Sequence, residues 1–153
     1  MFFFPKKETI YLCPEVNGTL TFEGVPLANH PIRIAIVYGD KIPLNEFIYT
    51  DEIGNFHFKG YQISRVPNLI FEPPRIAQQI LTIINGNEYR LWEAHIPGDG
   101  SHDLDMVKNK LQELNAALKK DMVEIKYEHH CHELPNSYLL VKSVLNLNGM
   151  NRR

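Results

Sequence analysis

Thr50-Asp51-Glu52-Ile53-Gly54-Asn55-Phe56-His57-Phe58 reads as strand, tight turn, strand, and this stretch decides the fold class. Thr50 closes one β run, and Asp51 to Asn55 supply turn chemistry, with Gly54 free to take a positive φ. Phe56 and Phe58 then alternate with His57 and Lys59 as a half-buried strand requires. A motif of this kind builds a β-sandwich and carries no chemistry of its own, because a scaffold does not imply an activity.

Upstream of it, Ile10 to Phe22 is strand-like with a break near Pro14, Glu23 to Pro31 is a turn region, and Ile32 to Tyr38 alternates isoleucines with Arg33 and smaller residues. Gly39 to Pro43 reads as a break before a further strand over Glu46 to Thr50. Downstream, Gly60 to Pro74 carries three prolines and little periodicity, which predicts a long surface loop. Ile76 to Ile84 and Glu88 to Ile96 flank Asn85-Gly86, the dipeptide that favours a type I′ hairpin turn.

Between Ser101 and Asp121 the texture changes. Leu104, Val107, Leu111, Leu114 and Leu118 recur at three and four, which predicts one amphipathic helix over residues 101–121. Ser101 is placed to cap it, Asp103 sits in its first turn, and Lys119 and Lys120 sit in its last. With the apolar stripe on the sheet, Asp105, Asn109, Gln112, Glu113, Ala116 and Lys120 turn outward. After it, Val123 to Cys131 alternates with one wet face, and Tyr138 to Leu147 is apolar enough for a last strand, with a helix as the alternative.

The chain of 153 residues is read as one domain, 1–153, with a leader over 1–9 and a fraying tail over 148–153. A net charge of -2, with acids and bases nearly balanced, gives no footprint for nucleic acid or an anionic membrane. No apolar run is long enough to span a bilayer, and Phe2 to Phe4 precede Lys6 and Lys7, the reverse of a secretory signal. The expected compartment is the cytoplasm, where Cys13 and Cys131 stay thiols.

Asn17-Gly18-Thr19-Leu20, Gly24 to Asn29, Ile32 to Ile36 and the Thr50 to Phe58 motif together resemble the transthyretin-like, carboxypeptidase-regulatory-like β-sandwiches over roughly residues 16–59. A wider resemblance rests on the short Phe/Lys leader, Leu12-Cys13-Pro14-Glu15-Val16-Asn17-Gly18 and Glu88-Tyr89-Arg90-Leu91-Trp92. Those features are similar to a group of small bacterial proteins found beside secreted antibacterial effectors. That resemblance implies an immunity protein that neutralises a toxin by binding it, in a type VI secretion-like setting, and it implies no catalytic residues. The helix at 101–121 departs from the pattern.

His129-His130-Cys131-His132 is the one soft-metal cluster. Neighbours on a strand point to opposite faces, so at best His130 with His132, or His129 with Cys131, act as a pair, and two further ligands must come from elsewhere. The bland reading, a buried Cys131 and a polar histidine rim, is preferred, and no metal or cofactor is expected. Pairing Cys131 with a neighbouring histidine as a nucleophile, or drawing Asp99, His102 and Asp103 as an acid-base group, gives weak enzyme readings, so no enzyme is expected. Trp92 is read as core.

The expectation is therefore a mainly β, transthyretin-like Greek-key sandwich of about seven strands with one added helix. It binds a cognate toxin or effector protein through Asp105, Asn109, Gln112, Glu113 and Lys120. An adaptor or chaperone module for an effector is the alternative, and an exposed edge strand leaves a homo-oligomer open. Carbohydrate or small-ligand binding is a third class. It usually exposes several aromatics on one face, and the sequence identifies no such set.

Overall fold

The computed structural model describes residues 6–66, 74–96, 104–120, 125–130, 138–143 and 145–146. In chain order these form β1 (Glu8–Cys13), β2 (Val16–Phe22), β3 (Val25–Pro26), β4 (Pro31–Tyr38), β5 (Lys41–Tyr49), β6 (Asn55–Phe58), β7 (Tyr61–Arg65), β8 (Ile76–Ile84) and β9 (Asn87–Ile96). There follow α1 (Leu104–Gln112), β10 (Leu114–Leu118), β11 (Ile125–His130), β12 (Tyr138–Ser143) and β13 (Leu145–Asn146). The fold is mainly β with several antiparallel sheets, consistent with a β-sandwich.

The large sheet runs β11-β12-β9-β8-β4-β5, with β13 also on β9. A smaller sheet centres on β2, which carries β10 along one edge and β3 and β6 along the other, and β1 pairs with β7 as a separate ribbon. One core joins them: Ile10 and Leu12 from β1, Leu20 from β2, Ile32, Ile34 and Ile36 from β4, Phe56 and Phe58 from β6, and Tyr89 and Trp92 from β9 are all buried in it. Along β6, and at Ile32, Ile34, Ile36 and Tyr38 of β4, buried residues come at every second position, which is the strand period expressed as burial; the small Ala35 of β4 is buried on the opposite face.

The opening motif proves to be a crossover between sheets. β5 lies against β4 in the large sheet, whereas β6 lies against β2 in the small one. The turn is held by Asp51, whose Oδ1 accepts from the backbone N–H groups of Ile53 and Asn55 at 3.0 and 2.9 Å. Gly54 adopts φ 85°, and a Cβ there would lie 2.7 Å from the Leu20 carbonyl oxygen. Buried Thr50 braces the corner, donating to the Leu27 carbonyl at 2.6 Å and accepting from the His30 N–H at 2.7 Å. The hairpin at Asn85-Gly86 forms as expected, with φ of 52° and 78°.

Several expectations are corrected. The helix of 101–121 stops at Gln112, and Leu114 to Leu118 form a strand parallel to Gly18–Phe22 of β2. Leu114, Ala116 and Leu118 satisfy strand spacing as well as helical spacing, and the open edge of β2 supplies the hydrogen bonds that decide between them. Ala116 is consequently buried, not outward. Gly18 is what lets β10 so close: a Cβ on it would run into the Leu114 carbonyl and the Phe56 ring.

The surface loop of 60–74 contains β7, whose half-buried Tyr61, Ile63 and Arg65 alternate against β1. β1 begins at Glu8, inside the stretch read as leader, and β5 begins at Lys41, inside the expected break. Thirteen strands, not about seven, occur among the described residues. Ser101, Asp103, Phe2 to Phe4, Cys131 and His132 lie outside the described residues.

Candidate functional site

Two surfaces stand out, one on the small sheet and one on the large sheet. The first lies on the small sheet. Because Leu20, Phe56 and Leu114 point inward, the alternate residues of the same strands point out: Asn17 and Thr19 from β2, Asn55 and His57 from β6, and Asn115 from β10. Register sets Asn55, Thr19 and Asn115 in one row across three strands, and the Thr19 hydroxyl donates to Asn115 Oδ1 at 3.1 Å. Together with Tyr49, Asp51, Gln112 and Glu113 they line a groove of about 570 Å³.

At one end of this groove Asn17 Nδ2 donates to Glu15 Oε1 at 2.8 Å, and His57 Nε2 lies 3.5 Å from the same oxygen. That amide bond, with His57 and Lys108 nearby, holds the Glu15 carboxyl below its ordinary value. Beyond Glu15 lies a second cleft of about 380 Å³, which Cys13 lines from a nearly buried position. The Cys13 thiol donates to the Pro14 carbonyl at 3.3 Å, and burial pushes its pKa up to about 12. A thiol in that state is no nucleophile at neutral pH.

The residues chosen from sequence are all exposed, but the structure divides them. Gln112 and Glu113 line the polar groove, and Asp105 and Asn109 lie further along α1. Lys120 lies past the far end of β10, where its backbone N–H donates to Glu23 Oε1 at 2.6 Å. As a helix, seven residues would separate Glu113 from Lys120 by about 10 Å. As largely extended chain they separate them by roughly 20 Å, so the patch does not hold together.

The second surface lies on the large sheet. Phe47 of β5 and Ile83 of β8 are 59% and 56% exposed. With Pro31 and Leu81 they form a small apolar groove of about 190 Å³, flanked by Arg33 and Glu88. The flank is ordered: Arg33 Nε donates to Asn45 Oδ1 at 2.8 Å, and the His30 ring lies 3.0 Å from the Ile83 carbonyl oxygen. β5 is the last strand of its sheet, so its outer edge has no strand neighbour among the described residues. A register shift near Ile42 and Pro43 disturbs one end of that edge, which leaves Leu44 to Tyr49 regular.

Sequence reasoning reached the polar groove only through Gln112 and Glu113 and did not find the apolar surface. Asn55 and His57 were legible as outward residues from the alternation that marks Phe56 and Phe58 as core. Their neighbours on the face come from strands 36 to 60 positions away, and no local pattern announces those.

His130 pairs with Tyr138 in the β11–β12 ladder, and its side chain lies outside the described residues. Among the described residues no group of three or more His, Cys, Asp or Glu is placed to hold a metal ion. No helix among them is long and apolar enough to cross a membrane. Trp92 is core, as expected, 2% exposed with its indole N–H on Gln78. A family model described as Domain of unknown function (DUF6795) matches residues 16–121. No curated protein and no solved structure matches the chain.

Proposed function

The chain belongs to the DUF6795 family, and from that footing we propose that it is a protein-binding module whose partner is a secreted toxin effector, neutralised by direct contact in the cytoplasm. The toxin and the compartment come from the resemblance to small bacterial proteins beside such effectors, as does the assignment of the sheets to a transthyretin-like Greek key. The reading assigns binding and no bond chemistry.

One observation carries it: the exposed Phe47 and Ile83, with Leu81 and Pro31, make an apolar centre rimmed by Arg33, Glu88 and Asn45 at the open side of β5. Interfaces concentrate their binding free energy in such an arrangement, a desolvated aromatic anchor inside a ring of polar contacts. Leu44 to Tyr49 additionally offers an edge that pairs with no further strand among the described residues, open to an extended segment of the partner. The favoured interface is thus on the large sheet, away from the helix face that the sequence suggested.

Co-expression with the product of the neighbouring effector gene tests this. The expected result is that cells are protected and the two proteins co-purify. Phe47→Lys, at an exposed position, should abolish both without lowering the melting temperature, while Asn109→Lys on α1 leaves both intact. A toxin that kills equally with the wild-type chain present sinks the immunity reading. Reduced effector export with unchanged sensitivity selects the adaptor alternative instead.

A further inference from the structure

The polar groove on the small sheet has a chemistry unlike that of the apolar surface, and it points to a different occupant. Four side-chain amides line it, from Asn17, Asn55, Gln112 and Asn115, together with the Thr19 hydroxyl and the Tyr49 phenol. An amide presents a donor pair and an acceptor on one rigid plane, the complement of two adjacent hydroxyl groups. Asn17 commits its NH₂ to Glu15, and Asn115 commits its carbonyl to Thr19. Those bonds orient the two side chains and leave the Asn17 carbonyl and the Asn115 NH₂ for a ligand. The amides of Asn55 and Gln112 make no hydrogen bond to another described residue.

The lining also excludes other classes. Among the described residues the lining contains no lysine or arginine, and its basic side chain, His57, already lies against Glu15; Asp51 and Glu113 line the groove as well, so phosphate, sulfate and uronate groups meet like charge. One oxygen of the Asp51 carboxylate, Oδ1, is already committed to the turn it holds, which weakens it as an anchor for a cation. A lipid or flat apolar ligand would leave the row of amides without partners, at a cost for each buried polar group. Tyr49, 60% exposed, supplies one aromatic face at the rim, enough to stack the apolar side of a single ring. The volume falls within the ~300–1,000 Å³ range of small-molecule sites.

We infer that this groove is a binding site for a neutral carbohydrate, with Asn17, Asn55, Gln112 and Asn115 hydrogen-bonding vicinal hydroxyls and Tyr49 stacking on one sugar ring. The four amides lie on β2, β6, α1 and β10, away from Phe47 and Ile83, and only Tyr49 of β5 adjoins the apolar surface, so the assignment does not rest on the toxin reading. Several aromatics on one face are unnecessary here, because a row of amides fixed by strand register performs the recognition that stacking performs elsewhere.

The test is titration of the ¹⁵N-labelled full chain with maltotriose, cellotriose and N,N′,N″-triacetylchitotriose, followed through the side-chain NH₂ resonances of the four amides. At least one trisaccharide should shift them saturably at millimolar concentration. Asn55→Ala and Gln112→Ala, both at exposed positions, should each weaken that binding by tenfold or more, and Tyr49→Leu by a similar factor, with unchanged backbone spectra. Sodium sulfate at equal concentration should shift none of them. No saturable shift with any of the three sugars overturns the assignment. So does equal binding by Asn55→Ala, Gln112→Ala and wild type, or saturation by a basic peptide such as tetralysine in their place.

Discussion

Cys13 shows how one residue's setting decides its chemistry. Its side chain is buried in the core, and burial raises its pKa from an ordinary 9.0 to about 12. The folded chain therefore holds a proton that the unfolded chain releases. That contribution to stability is present in full below pH 9.0, and it is lost as pH rises from there toward 12. Two outcomes are expected. At pH 8 Cys13 should resist iodoacetamide until denaturant is added, as followed by mapping the alkylated peptide by mass spectrometry. Cys13→Ala should fall less steeply in unfolding free energy between pH 9 and 11, by about one proton's worth of slope. Rapid alkylation of the native chain would mean that the thiol is open. Sequence alone leaves this residue ambiguous, since a cysteine before a proline fits an exposed loop as well as a strand end. By contrast Phe56, Phe58 and Trp92 were legible as core, because alternation along a strand needs only neighbours in the chain to be seen.

At the scale of elements, residues 114–118 carry the main lesson. Leu111, Leu114 and Leu118 continue the helical spacing from Val107, while Leu114, Ala116 and Leu118 also alternate, so periodicity supports both structures. The structure chooses a strand because β2 offers an edge from Gly18 to Phe22, and that edge is invisible in any window around residue 116. The two assignments predict opposite results for neighbouring substitutions. On a helix Ala116 faces solvent, and Ala116→Leu is nearly neutral. On β10 it is buried opposite Leu20, and the extra bulk should cost about 1–3 kcal/mol. Ala117 is exposed on the strand, so Ala117→Thr should be neutral or slightly stabilising there, whereas a helix would lose a few tenths of a kcal/mol. Urea denaturation of both variants separates the cases. A tolerated leucine together with a costly threonine would restore the helix. The hairpin at Asn85-Gly86 needed no such arbitration, since its turn chemistry and its two strands are contiguous in sequence.

Across the whole molecule, the layers are joined by one buried polar side chain whose role depends on an irregularity. β1 pairs with β7 in register from Glu8 to Tyr11, then shifts so that Cys13 faces Tyr61, and Leu12 is left as the extra residue of the bulge. A carbonyl displaced from its ladder inside a core needs another donor. Gln78 of β8, 1% exposed, supplies it: Nε2 donates to the Leu12 carbonyl at 2.8 Å, and Oε1 accepts from the Trp92 indole at 2.9 Å. The ribbon, the large sheet and the chain's single tryptophan thus meet at one amide. Gln78→Leu keeps the volume but strands two buried groups, the Leu12 carbonyl and the Trp92 N–H, and should cost about 2–4 kcal/mol. Trp92→Phe in that background removes one of the stranded groups, so the double variant should be more stable than the sum of the single losses by about 1 kcal/mol. Denaturant unfolding of the four proteins measures that coupling. Simple additivity would show that the bond between Gln78 and Trp92, within the large sheet, contributes nothing, and would leave the whole loss in Gln78→Leu to the Leu12 carbonyl. Because Gln78 is buried in the core and lines neither groove, the surviving folded fraction of Gln78→Leu should still bind whatever those surfaces bind. Binding lost beyond that fraction would place the layer contact within the functional machinery.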